Sequence, residues 1–204
     1  YNLKQIGEFP IREKPHSIYP SIDLQNKFIS YDQLNIEIQK YKLSLFNPYQ
    51  YVKPEFKEQY DKEKVKNFTQ EDRENYLIGM MKVNFLKRLE SSVNSFAISM
   101  DRTIKKIGEL EDKIFKFKKQ ITKDAEIDLD DLHVSDTDEE TEDAWEVGKK
   151  IKYSLNHLDI DRWLNDLARD KEQLQRLYIE ASAVTRERDA KLAELKELIK
   201  EKIL

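Results

Sequence analysis

Residues 86–121 read LKRLESSVNSFAISMDRTIKKIGELEDKIFKFKKQI, and this stretch decides the fold class. Leu86, Leu89, Val93, Phe96, Met100, Thr103, Ile107, Leu110, Ile114, Phe117 and Ile121 recur in steps of three and four. That spacing puts them on one stripe of an α-helix, with Thr103 its only polar member. Upstream, Thr69 suits an N-cap, and Glu71 and Asp72 follow where the helix dipole favours acids. The pattern predicts one helix over 69–122. At ~1.5 Å per residue such a helix spans roughly 80 Å, too long to pack inside a globule.

A second seam begins near Ile160 and continues through Leu164, Leu167, Leu174, Leu177, Ala181, Val184, Leu192, Leu195 and Leu198. It carries a polar gap near Arg188. Two seams of similar length predict an antiparallel hairpin of helices with a return helix over 160–204. A homodimeric coiled coil is the competing arrangement; short connections favour antiparallel neighbours, and hence a monomer.

The first third of the chain is different. All five prolines lie at or before Pro54, and residues 7–24, GEFPIREKPHSIYPSIDL, suit an extended strap lying over another surface. Ser30 or Asp32 can cap a helix whose apolar face is Leu34, Ile38, Tyr41 and Leu45. Pro48 and Pro54 mark a turn, and a short helix follows to about Lys66. Tyr76, Leu77, Met80, Met81, Val83, Phe85 and Ile98 fall partly off the long seam, so the start of the long helix should meet this region. The reading is an all-α chain, a small helical base with a protruding hairpin arm. Its parts are a strap with short helices (1–68), the long helix (69–122), a connector (123–159) and the return helix (160–204).

Composition agrees. Charged residues make up 37% and hydrophobic residues 39%, with only 4 glycines, as expected of long helices with exposed faces. Without cysteine, disulfides, thiolate metal sites and cysteine nucleophiles are excluded. No run approaches the ~20 apolar residues of a membrane span, and the start has no signal-peptide pattern, so no membrane partner and a cytoplasmic location are expected. The chain reads as a piece of a longer protein. Its net charge of -4 hides an uneven distribution: residues 124–146 carry twelve acids and no Lys or Arg, leaving 36 basic against 28 acidic residues elsewhere.

No catalytic constellation emerges. Gly7, Gly79, Gly108 and Gly148 are isolated, so no phosphate loop exists, and His16, His133 and His157 share no ligand spacing. The carboxylates of DAEIDLDDL lack the central Gly and closing Glu of a calcium loop, which leaves an acidic connector or a nucleic-acid mimic. Neither a catalytic residue, a metal site nor a cofactor of this chain's own is expected. The remaining candidates are basic. Lys82, Lys87, Arg88, Arg102, Lys105 and Lys106, continued by Lys113, Lys116, Lys118, Lys119 and Lys123, could track a phosphate backbone. Interspersed Glu90, Glu109 and Glu111 equally suit a solvated helix face.

Residues 81–104, MKVNFLKRLESSVNSFAISMDRTI, resemble a signature of bacterial Swi/Snf-like superfamily-two helicases, especially those with a phospholipase-D-like domain. Asn84, Phe85, Leu86, Lys87, Arg88, Leu89, Glu90, Ser91, Ser92 and Phe96 carry the likeness, with Phe85 in place of a usual Leu. Residues 185–204, TRERDAKLAELKELIKEKIL, resemble the helix leading into the second motor lobe. Residues 7–24, with SYDQLN and LFNPYQYVKPEF, resemble the connector leaving the first. The resemblance implies a helical insertion between two RecA-like lobes, with ATP and Mg held by those lobes and no catalytic residue here. Partners would be the flanking lobes and nucleic acid, contacted by Lys87 and Arg88. A free-standing coiled-coil scaffold is the rival reading.

Overall fold

The computed structural model describes residues 14–15, 17–61, 69–120, 126–128, 132 and 151–203. The start of the strap, the end of the short helix expected to reach Lys66, Ile121, and most of the acidic connector with His133 lie outside the described residues.

Ser30 opens α1 (Tyr31–Gln39) with a reciprocal cap: its Oγ accepts from Gln33 N, and Gln33 Oε1 accepts from Ser30 N. Leu34 and Ile38 are buried beneath α1. Leu43, at φ 52°, then turns the chain into 3-10 segments at Ser44–Phe46, Pro48–Tyr51 and Pro54–Phe56, which lead to α2 (Lys57–Asp61). Pro48 and Pro54 each occupy a first-turn position, where a missing N–H costs nothing. Thr69 caps α3 (Gln70–Ser91), as the sequence suggested, and with Asp72 it forms a second capping box. Leu77, Met81, Phe85 and Leu89 are buried along α3, which packs on α1 and the 3-10 segments. These elements make the helical base.

The single helix expected over 69–122 is two helices. Ser92 leaves helical geometry at φ -164°, ψ 154°, and its N–H, bonded to Arg88 O at 2.9 Å, closes α3. Its Oγ accepts from Ser95 N at 3.0 Å and so caps the next helix, α4 (Val93–Gln120). A serine side chain can take the place of the missing helical carbonyl, so the break costs little. From the rise per residue, α3 spans about 33 Å and α4 about 42 Å.

The second seam is also interrupted. Asp159 caps α5 (Ile160–Ser182), and a turn separates it from α6 (Ala190–Ile203), so the continuous return helix over 160–204 is corrected. Lys171 pairs with Glu111 and Lys118 with Asp161, which fixes α4 and α5 as antiparallel neighbours. Their facing stripes are the buried residues Val93, Phe96, Met100, Ile107, Leu110 and Ile114 against Trp163, Leu167, Leu174, Leu177 and Ala181. Thr103 is buried in this seam with its hydroxyl donating to Ser99 O at 2.9 Å. Beyond the turn the seam pattern loses its packing, and Leu195 is half-exposed.

The fold is mainly helical with one small addition. β1 (Glu126–Asp128) and β2 (Lys152–Ser154) pair antiparallel with Ile127 opposite Tyr153, both wholly buried. Trp163 links arm to base: its ring stacks on Tyr51 at 5.7 Å, and its Nε1 donates to Ser44 O at 2.9 Å.

Candidate functional site

Asp23 lies at the end of the strap and is 1% exposed. Its carboxylate accepts from the backbone N–H groups of Gln25, Lys27 and Phe28 at 3.0, 2.9 and 3.1 Å. The Arg188 guanidinium reaches it from the α5–α6 turn, with Nε at 3.1 Å and Nη2 at 2.5 Å. The Arg188 hydrogen bond and those amides outweigh burial and hold the Asp23 carboxyl well below the usual carboxylate range. Arg188 Nη1 also donates to Ala183 O, covering a carbonyl at the end of α5. Backbone bonds from Leu24 N to Arg188 O and from Ala190 N to Ile22 O lace strap and turn together.

The same turn adjoins the α3–α4 break. Lys191 Nζ donates to Glu90 O, and Asp189 Oδ1 caps α6 through Leu192 N at 2.9 Å. Between them lies a cavity of about 440 Å³ lined by Ser91, Ser92, Asn94, Arg186, Lys191 and Leu195, among others. The strap, the Glu90–Ser92 break and the α5–α6 turn therefore form one junction. Residues separated by more than a hundred positions meet there.

The basic candidates are spread over two helices. Lys82, half-buried on α3, donates to Gln39 O at the end of α1 at 2.8 Å, and burial lowers its pKa. Lys87 is exposed and Arg88 half-buried, close before the break. On α4, Lys105 pairs with Asp101 at 2.6 Å and Lys106 with Glu109 at 3.1 Å, while Arg102 is exposed. Ile127 and Leu132, from the acidic connector, share a groove of about 240 Å³ with Lys106, Glu109, Leu110 and Lys113. The structure thus splits the six candidates into a base group on α3 and an arm group on α4.

Three buried carboxylates escaped the sequence reading. Asp166 accepts from Lys42 Nζ and Tyr51 Oη, each at 2.9 Å; burial raises its pKa, but these partners bring it below the ordinary value. Asp170 accepts from Ser44 N at 2.6 Å, and burial raises its pKa. Glu74 is wholly enclosed and accepts from Tyr49 N, Gln70 Nε2 and the Tyr153 hydroxyl. The signal was their register: Asp170 stands between Leu167 and Leu174, and Glu74 three residues before Leu77, on buried faces.

Among the described residues no three His, Asp or Glu side chains gather as a metal site requires, and no helix is long and apolar enough to cross a membrane. The arrangement is suited to holding elements together and presenting cations. No family model, curated protein or solved structure matches the chain.

Proposed function

We propose that the chain is the helical insertion between the two lobes of a Swi/Snf-like, superfamily-two nucleic-acid motor, transmitting lobe movement along the α4–α5 arm. The observation that carries this reading is the convergence at Asp23 and Arg188. The three stretches that resemble the motor's connector, insertion helix and second-lobe helix are distant in sequence and meet at one junction, through the buried Asp23 carboxylate paired with Arg188 and an exposed hydrogen bond from Lys191 to Glu90 O. A rigid junction is what a lever needs at its pivot. Burial of the α4–α5 seam within one chain further favours an arm over a scaffold whose seam awaits a partner helix. In this reading ATP and Mg belong to the flanking lobes, and the motor works on nucleic acid in the cytoplasm.

Lys87 and Arg88, close before the junction, contact nucleic acid or the facing lobe. Replacing both with Glu in the full-length parent should weaken DNA-stimulated ATPase activity while basal ATPase and helix content stay unchanged. Unaltered stimulation would remove these residues from the coupling path. A parent without any nucleotide-dependent activity would remove the motor reading itself.

A further inference from the structure

Glu74 has no place in the junction, yet it is the most enclosed carboxylate in the base, with 0% exposure. Its three donors come from separate parts of the fold. Tyr49 N, in the Pro48–Tyr51 segment, donates to Oε2 at 2.8 Å. Gln70 Nε2, one turn earlier on α3, donates to Oε1 at 2.8 Å, and the hydroxyl of Tyr153 on β2 donates to the same oxygen at 2.5 Å. Beneath Tyr153 sits Tyr60 of α2, ring to ring at 4.9 Å, whose hydroxyl accepts from Ser154 N and bonds His157 Nδ1. One carboxyl group therefore ties α3, a 3-10 segment and the β1–β2 pair, of which β1 lies within the acidic stretch and β2 follows it.

We propose that the Glu74–Tyr153 contact is a protonation-controlled latch that fixes the β1–β2 pair to the helical base. The charged and titratable groups around Glu74 are Arg73 on α3, Tyr153 on β2, Tyr60 on α2, and Tyr49, whose hydroxyl donates to Asp61. Burial dominates over these groups and the three hydrogen bonds, and pushes the Glu74 carboxyl up to about 7. When the latch opens, water reaches Glu74 and its pKa returns toward the ordinary ~4.3. The open state therefore binds fewer protons than the closed one across the interval between these values. The latch is firmest below the ordinary value and loosens as pH rises through about 7. Ionised, Glu74 accepts from Tyr153 Oη, Gln70 Nε2 and Tyr49 N but holds a buried charge that solvent exposure relieves; protonated, it carries no charge to expose.

The test is amide hydrogen exchange of the 204-residue chain at pH 6 and pH 8, corrected for intrinsic rates and read at residues 152–158. Opening should rise about tenfold between the two, the factor that linkage assigns over this interval to a closed-state value of about 7. In Glu74→Gln the amide keeps the shape but cannot titrate, and the rise should vanish. Opening that is independent of pH in the native chain, or a rise of the same size in Glu74→Gln, overturns the proposal. Tyr153→Phe covers the case in which Glu74→Gln does not fold. It should increase opening at pH 6, and exchange equal to that of the native chain would sink the latch.

Discussion

Asp23 and Trp163 show how single side chains close gaps between distant segments. Asp23 has its folded pKa depressed by Arg188 and three amides, so its stabilisation is present above the unfolded value near ~3.9. It is lost progressively as pH falls from there toward the much lower folded value. Asp23→Asn should therefore lower the urea midpoint at pH 7, and the deficit should shrink toward pH 2.5. A deficit of equal size at both pH values would show that charge is not what Asp23 supplies. Trp163 is wholly buried against Tyr51 and bonds Ser44 O. Trp163→Ala should cost about 3–5 kcal/mol in chemical denaturation, as for other large core truncations. A loss under about 1 kcal/mol would mean that the arm–base contact does not depend on this ring. Neither role was legible locally, because both partners lie far away in sequence.

Helix starts were readable when the cap and its partner lay together. Thr69 caps α3 as read, and Ser30 rather than Asp32 caps α1; their reciprocal partners Asp72 and Gln33 lie within four residues. Ser92 was not readable. The apolar spacing runs across it without a missed step, because Leu89, Val93 and Phe96 stay buried on either side of the break. Ser92→Ala removes the bond from Ser95 N and should destabilise the chain by about 1 kcal/mol, whereas exposed Ser91→Ala should fall within about 0.5 kcal/mol of the native chain. Equal effects in thermal or urea unfolding would deny Ser92 its capping role. The α5–α6 turn was hinted at by the polar gap near Arg188, but its cause was not. Arg188 leaves the helical path to meet Asp23 on the strap.

At the scale of the molecule, the hairpin arm follows from apolar area that one helix cannot bury alone. α4 and α5 satisfy each other's seam, and Lys171–Glu111 and Lys118–Asp161 set their antiparallel register. The chain should therefore sediment as a monomer at micromolar concentration; a dimer that dissociates only on dilution would point to a seam shared between chains. The sequence placed the six basic residues on one long helix, whereas the structure divides them between α3 and α4. Several of their acidic neighbours were within three or four positions and predictable, as for Lys105 with Asp101 and Lys106 with Glu109.

The sequence by itself determined the mainly helical class, the two apolar seams, the capped starts of α1 and α3 and the charge distribution, because these depend on residues a few positions apart. Only the tertiary structure decided where the seams break, and which carboxylates are buried. It also decided that strap, break and turn share one junction. Asp23 with Arg188 and Glu74 with Tyr153 are contacts between remote segments, and the cost of burying a charge is met by partners that no local pattern displays.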